Sequence, residues 1–114
     1  MVMQGNPLNE RKGMIQLQNQ LNQLGFRTPF RILDAFTMLH TSKGIRLFPF
    51  AIQEIQKRVS PDGNGGEWAF FLITTEDREK GFAVYAADSL EARLCTSFSE
   101  KCRQAFKNGT SMNQ

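Results

Sequence analysis

With 114 residues and 40% apolar side chains, the chain can build one hydrophobic core but not two, so a single domain over residues 1–114 is expected, with 1–5 and 108–114 as loose ends. No apolar run approaches the ~18 residues of a membrane span and none reads as a secretory leader, which argues against a membrane role and makes the cytoplasm the expected compartment. Net charge is +3 but uneven: Met1 to Gly66 holds eight bases and four acids, whereas Glu67 onward holds six bases and seven acids, so an anion-facing surface belongs to the first half.

Asn6-Pro7 suits a helix start, Asn as cap and Pro at the first helical position, before Gly13 interrupts. Met14, Leu17, Leu21 and Leu24 then fall on one helical stripe, and Gly25 supplies a C′ stop, which predicts a first helix over these residues. Its other faces carry the amides of Gln16, Gln18, Asn19, Gln20, Asn22 and Gln23, suited to water, to a partner helix or to bases. Thr28-Pro29 repeats the cap signal, and Ile32, Ala35, Phe36 and Leu39 keep helical spacing to His40, predicting a second helix. Thr41 to Gly44 breaks it, and Ile45 to Phe48 is either a short extended segment or the approach to a third helix. Pro49 suits a helix start, and Ile52, Ile55 and Val59 lie within about 60° of one another at ~100° per residue, so the third helix is expected over Pro49–Val59. Ser60 to Gly66 concentrates Pro, Asn and Gly and must be a loop.

Trp68 to Ala87 reads as one β-hairpin around the charged turn Glu76-Asp-Arg-Glu-Lys80. Alternation puts Trp68, Phe70, Leu72 and Thr74 on one face and Ala69, Phe71, Ile73 and Thr75 on the other, and a strand apolar on both faces needs cover on both sides. Asp88 with Glu91 predicts the cap of a closing helix lined by Leu90, Leu94, Phe98, Cys102 and Ala105 or Phe106, as far as Lys107. Ten of the twelve aromatics are Phe, which buries completely more readily than Tyr or Trp, so most belong in the core. The expected fold class is α+β: three N-terminal helices, a long β-hairpin and a C-terminal helix.

No residue pattern announces chemistry. His40 is the only histidine, and no nucleophile elbow, HExxH or phosphate-loop spacing accompanies it. His40, Cys95 and Cys102 are too few to close a structural zinc site, so no metal and no cofactor is expected. Cys95 and Cys102, seven apart on a helix, stand about 10.5 Å apart at ~1.5 Å per residue, too far for a disulfide, and free thiols suit a reducing compartment. Asp62 to Glu67 fails as a calcium loop because Glu67 stands where glycine is demanded, and it leads into a strand rather than a phosphate-binding helix N-terminus. An enzyme is therefore the least favoured class.

The order helix, turn, helix, basic hairpin resembles the parts of winged helix-turn-helix proteins. That resemblance implies a DNA-binding regulator whose second helix of the pair enters the major groove, with Gln53, Lys57 and Arg58 facing the bases, Arg78 and Lys80 at the wing, and Arg27, Arg31, Lys43 and Arg46 on phosphates. Against it stand the link of about eight residues between the two helices, where ~3–4 is usual, and the acid Glu54 on the same face. The alternative is a protein-binding adaptor or inhibitor acting through the apolar hairpin and flanking helices. The partner is thus duplex DNA or a protein, and self-association as a homodimer would use the amide-rich first helix or the last one.

Overall fold

Phe30 and Ile32 are buried while Arg31 between them is exposed, a period of two that belongs to a strand. In the computed structural model, which describes the backbone of residues 7–112 and the side chains of 15–105, that strand is β1 (Thr28–Asp34). It follows α1 (Pro7–Gln23) and leads through β2 (Thr37–His40), β3 (Ile45–Leu47), one 3₁₀ turn (Pro49–Ala51), β4 (Ile52–Pro61), β5 (Glu67–Thr75) and β6 (Lys80–Ala86) to α2 (Leu90–Met112). The six strands form one sheet in the order β3-β2-β1-β6-β5-β4, parallel only at the central β1·β6 pair.

The expected second and third helices do not exist, and with them goes the arrangement of three N-terminal helices followed by a hairpin. Thr28 to His40 forms β1 and β2, because Phe30, Ile32 and Met38 fill one sheet face and the Asp34 carboxylate accepts from the Phe36 N–H to close the turn between them. Pro49 does begin a helix, but only three residues of 3₁₀. The helical spacing of Ile52 and Ile55 has a specific cause. A bulge between Ile52 and Glu54 inserts one residue into β4, so two side chains three apart both meet the core, as they would on a helix. Gly13 does not interrupt α1, which is continuous from Pro7. The cap of α2 is Ser89 rather than Asp88: its Oγ accepts from the Ala92 N–H at 3.1 Å. That helix runs on through Asn108 and Gly109 to Met112, while residues 1–6, with the expected Asn6 cap, and 113–114 lie outside the described residues.

The α1 terminus shows how closely sequence and geometry agree where no bulge intervenes. Gly25 sits at φ +93°, the Phe26 N–H donates to the Leu21 carbonyl at 2.8 Å, and the Gly25 N–H donates to Asn22 at 3.0 Å, the paired bonds of a Schellman stop. Phe26 thereby lands beside Leu21 in a cluster with Leu17, Phe70, Leu72, Phe82 and Val84, covering one face of the β5–β6 hairpin. On the opposite face Phe71, Ile73, Phe30, Ile32 and Met38 pack against Ala92, Cys95, Phe98 and Cys102 of α2. Both apolar faces of β5 are therefore covered, one by each helix.

The sheet must curl. Five spacings of ~4.8 Å would separate β3 from β4 by about 24 Å in a flat sheet, yet the five Cα steps from Leu47 to Ile52 reach only about 17 Å. The two edges bend toward one another around α2, which packs on β1, β4, β6 and the 3₁₀ turn. The fold line is the β1·β6 junction, where only Thr28–Gly81 and Pro29–Phe82 are in register. Beyond those pairs the strands part, and the Tyr85 hydroxyl fills the gap by accepting the Ile32 N–H at 2.8 Å.

Candidate functional site

Curling brings the β2–β3 turn, the 3₁₀ turn and the β5–β6 turn to one end of the molecule, where they enclose a cavity of about 210 Å³. Ile45, Leu47 and Ala51 supply its apolar lining, and His40, Lys43, Thr75, Glu76, Asp77 and Glu79 its polar side. The volume lies below the roughly 300–1,000 Å³ of drug-sized sites and suits a single side chain. Two more open grooves elsewhere are lined by the glycine loop at Asp62 and by Gln53, Glu54 and Lys80, without a comparable convergence of groups.

His40, expected at the end of a helix, ends β2 and is buried, 4% exposed. The Lys43 N–H donates to its Nδ1 at 3.3 Å, so the ring proton sits on Nε2, which donates to Glu79 Oε2 at 2.8 Å. The same carboxylate oxygen accepts from the Thr28 hydroxyl at 3.0 Å, and Lys43 Nζ lies 3.6 Å from Glu79 Oε1. These donors, the His40 bond foremost, hold the Glu79 carboxyl below its ordinary value against the opposing effect of burial. Asp77 is likewise held below its ordinary value, chiefly by the Thr75 hydroxyl that donates to it. Thr75 Oγ1 also accepts the Glu79 N–H at 3.0 Å, fixing the tip of the hairpin.

The network braces the tip of the hairpin against the end of β2 and the start of β1. Both imidazole nitrogens are engaged, which leaves no lone pair to take a proton from a bound molecule. Neither thiol lines the cavity: Cys95 and Cys102 are buried between α2 and the sheet, and burial pushes both up to about 12, where a thiolate nucleophile is scarce at neutral pH. Among the described residues no group of three His, Cys, Asp or Glu side chains could hold a metal ion.

Beside the cavity, Phe48 and Phe50 stand exposed at 44% and 72%, their rings stacked at 6.2 Å and 9°. Leu47 and Ala51, which bracket them in the chain, belong to the cavity lining, and Ile45 adds a side chain 50% exposed. The platform is rigid: Pro49 fixes φ, the Ala51 N–H donates to the Phe48 carbonyl at 2.9 Å, and the Glu76 N–H donates to the Ala51 carbonyl at 2.9 Å.

The residues expected to touch DNA are divided between the two faces of the sheet and its turns. Arg31 and Arg46 lie on the convex face of the sheet, the face toward α1, in line through Leu39, which is paired with each of them. Arg58 shares that face on β4, paired with Phe70, and Lys80 shares it at the start of β6 with its ammonium 5.3 Å from the Phe26 ring. Arg27 donates through Nε to the Asn22 carbonyl at 3.2 Å. Lys57 lies on the concave face, 5.9 Å from the Phe71 ring, and Gln53 occupies the β4 bulge. Arg78 adopts φ +71° in the β5–β6 turn, and Lys43 faces Glu79. Residues 49–59 form no recognition helix, so Gln53, Lys57 and Arg58 are not on one helical face. No protein family, curated protein or solved structure matches the chain.

Proposed function

We propose that the protein is a non-catalytic binding module that captures a protein partner at the Phe48–Phe50 platform. The observation that carries this reading is a pair of stacked, exposed aromatic rings on a rigid turn whose flanking residues, Leu47 and Ala51, line a side-chain-sized cavity. Aromatics held in place lose little entropy on binding and dominate interface energetics. The cavity lining favours one partner chemistry. Glu76, Asp77 and Glu79 outnumber Lys43 around it, and the aliphatic wall of Ile45, Leu47 and Ala51 suits the stem of a lysine or arginine whose head meets the carboxylates. The partner thus presents a basic side chain next to an apolar one.

Selection of a displayed random-peptide library against the whole chain tests this. Enriched peptides should share a Lys or Arg beside an apolar residue, and Phe50→Ser should abolish their binding with the melting temperature unchanged, since position 50 is mostly exposed. Absence of enrichment, or binding indifferent to Phe50→Ser, refutes the reading. A nucleic-acid reading has its own observation, the convex-face line of Arg31 and Arg46, and predicts retention of duplex DNA that weakens steeply with salt and is lost in the Arg31→Ala/Arg46→Ala double variant. The free, buried thiols support a cytoplasmic setting, and no helix among the described residues is long and apolar enough to cross a membrane.

A further inference from the structure

β4 ends the sheet, and among the described residues no strand pairs with its outer edge. A free edge of ten residues is a template for another chain, and proteins blunt such edges with bulges, prolines and charges. β4 carries all three, with the bulge at Ile52–Glu54, Pro61 at its end, and Glu54, Lys57 and Arg58 along its length. The charges, however, are arranged to match themselves. Register with β5 places Glu54, Gln56 and Arg58 on the convex face beside Thr74, Leu72 and Phe70, and all three are exposed. A two-fold axis normal to the sheet preserves each face only if it passes through a residue, and Ile55, Gln56 and Lys57 stand near the middle of β4, where an axis pairs most of the strand. An axis at Lys57 sets Lys57 against itself, and one at Ile55 leaves Arg58 facing Ile52. An axis at Gln56 sets Glu54 opposite the partner's Arg58 and Arg58 opposite the partner's Glu54, with no like charges facing.

We infer that two copies of this chain pair antiparallel through β4 about a two-fold axis at Gln56, joining their sheets edge to edge with reciprocal Glu54–Arg58 ion pairs. Side chains directly opposite across an antiparallel pair stand ~4.5–5.5 Å apart at Cβ, within reach of a carboxylate and a guanidinium. Gln56 Nε2 already donates to Glu54 Oε2 at 3.0 Å, which turns that carboxylate along the edge. On the concave face Lys57, stretched over Phe71, lies opposite the partner's Ile55. The interface is isologous, so one surface serves both copies and closes the pair.

Sedimentation of the whole chain from micromolar to submillimolar concentration should show a monomer–dimer equilibrium. Glu54→Arg and Arg58→Glu should each raise the dissociation constant by roughly tenfold, each replacing two attractive contacts by two repulsive ones, and the charge-swapped double variant should recover most of the loss. A monomer throughout, or a double variant no tighter than the singles, overturns the inference. Gln56→Cys gives a second reading on the same axis. Mild oxidation should link two copies through that position, and failure to link while the variant sediments as a dimer would also overturn it. The native thiols, both buried, do not compete.

Discussion

Gly81→Ala puts the central strand pairing under direct test. A Cβ at Gly81 would stand 2.3 Å from the Thr28 carbonyl oxygen and 2.5 and 2.8 Å from two carbons of the Phe30 ring. Ordinary contacts begin near ~3.5 Å, so β1 must retreat from β6 by about 1 Å. The oxygen is backbone and cannot swing aside, and β1 meets β6 through only two registered pairs, so the retreat opens the junction that joins the two three-stranded halves of the sheet. Overpacking of this kind costs ~1–3 kcal/mol, and with the Phe30 ring also displaced the upper part of that range is expected. For a chain of this length about 2–3 kcal/mol corresponds to a fall in melting temperature of roughly 10 °C. Urea unfolding followed by Trp68 fluorescence measures it. Gly65→Ala is the control: φ there is +87° with nothing within 4 Å of the added carbon, so only left-handed strain of about 1 kcal/mol applies. Gly81→Ala costing no more than Gly65→Ala would show that β1 is not seated against β6 and would refute the parallel junction.

Tyr85→Phe removes the acceptor of the Ile32 N–H and should cost about 1–2 kcal/mol in the same urea assay, whereas a neutral result would mean the strands do not part there. Glu79→Gln tests the brace through pH. Because the folded carboxyl is held below its ordinary value near 4.5, ionised Glu79 favours the folded state. Its contribution is complete above that value and disappears as pH falls through the lower folded value. The stability gap between wild type and Glu79→Gln should therefore be full at pH 7 and close on acidification below about 4.5, and a gap unchanged down to pH 3 would contradict the His40–Glu79 geometry. Cys95 and Cys102, pushed up to about 12 by burial, should resist thiol reagents at pH 8 in the native chain and react only at the rate of unfolding. Fast labelling would show that α2 does not hold them against the sheet.

What the sequence disclosed and what it hid divide along one physical line. The first helix, the Trp68–Ala87 hairpin and the last helix obey an uninterrupted period, and their positions follow from Leu17, Leu21 and Gly25, from the two apolar faces of β5, and from Phe98 and Cys102. Bulges defeat such reading. Asp34 is displaced from the period of β1, and the extra residue at Gln53 shifts the parity of β4, so apolar side chains fall three and four apart in a strand. The candidate site was fragmentary for a different reason. His40 stood out as the only imidazole, but its partner Glu79, 39 residues later, looked like part of a solvated turn, and only the curl of the sheet joins them. Phe50 did carry a signal, since it fell outside the apolar stripe of Ile52, Ile55 and Val59 even when that segment was read as a helix, and it is 72% exposed.

Amide chemical-shift mapping on the ¹⁵N-labelled chain, titrated with a selected peptide carrying a lysine beside an apolar residue, bears most directly on the binding reading. The account predicts saturable shifts confined to Ile45–Ala51 and Glu76–Glu79, lost when the lysine is replaced by alanine. Shifts centred instead on Arg31, Arg46 and Arg58, or none at all, would contradict it.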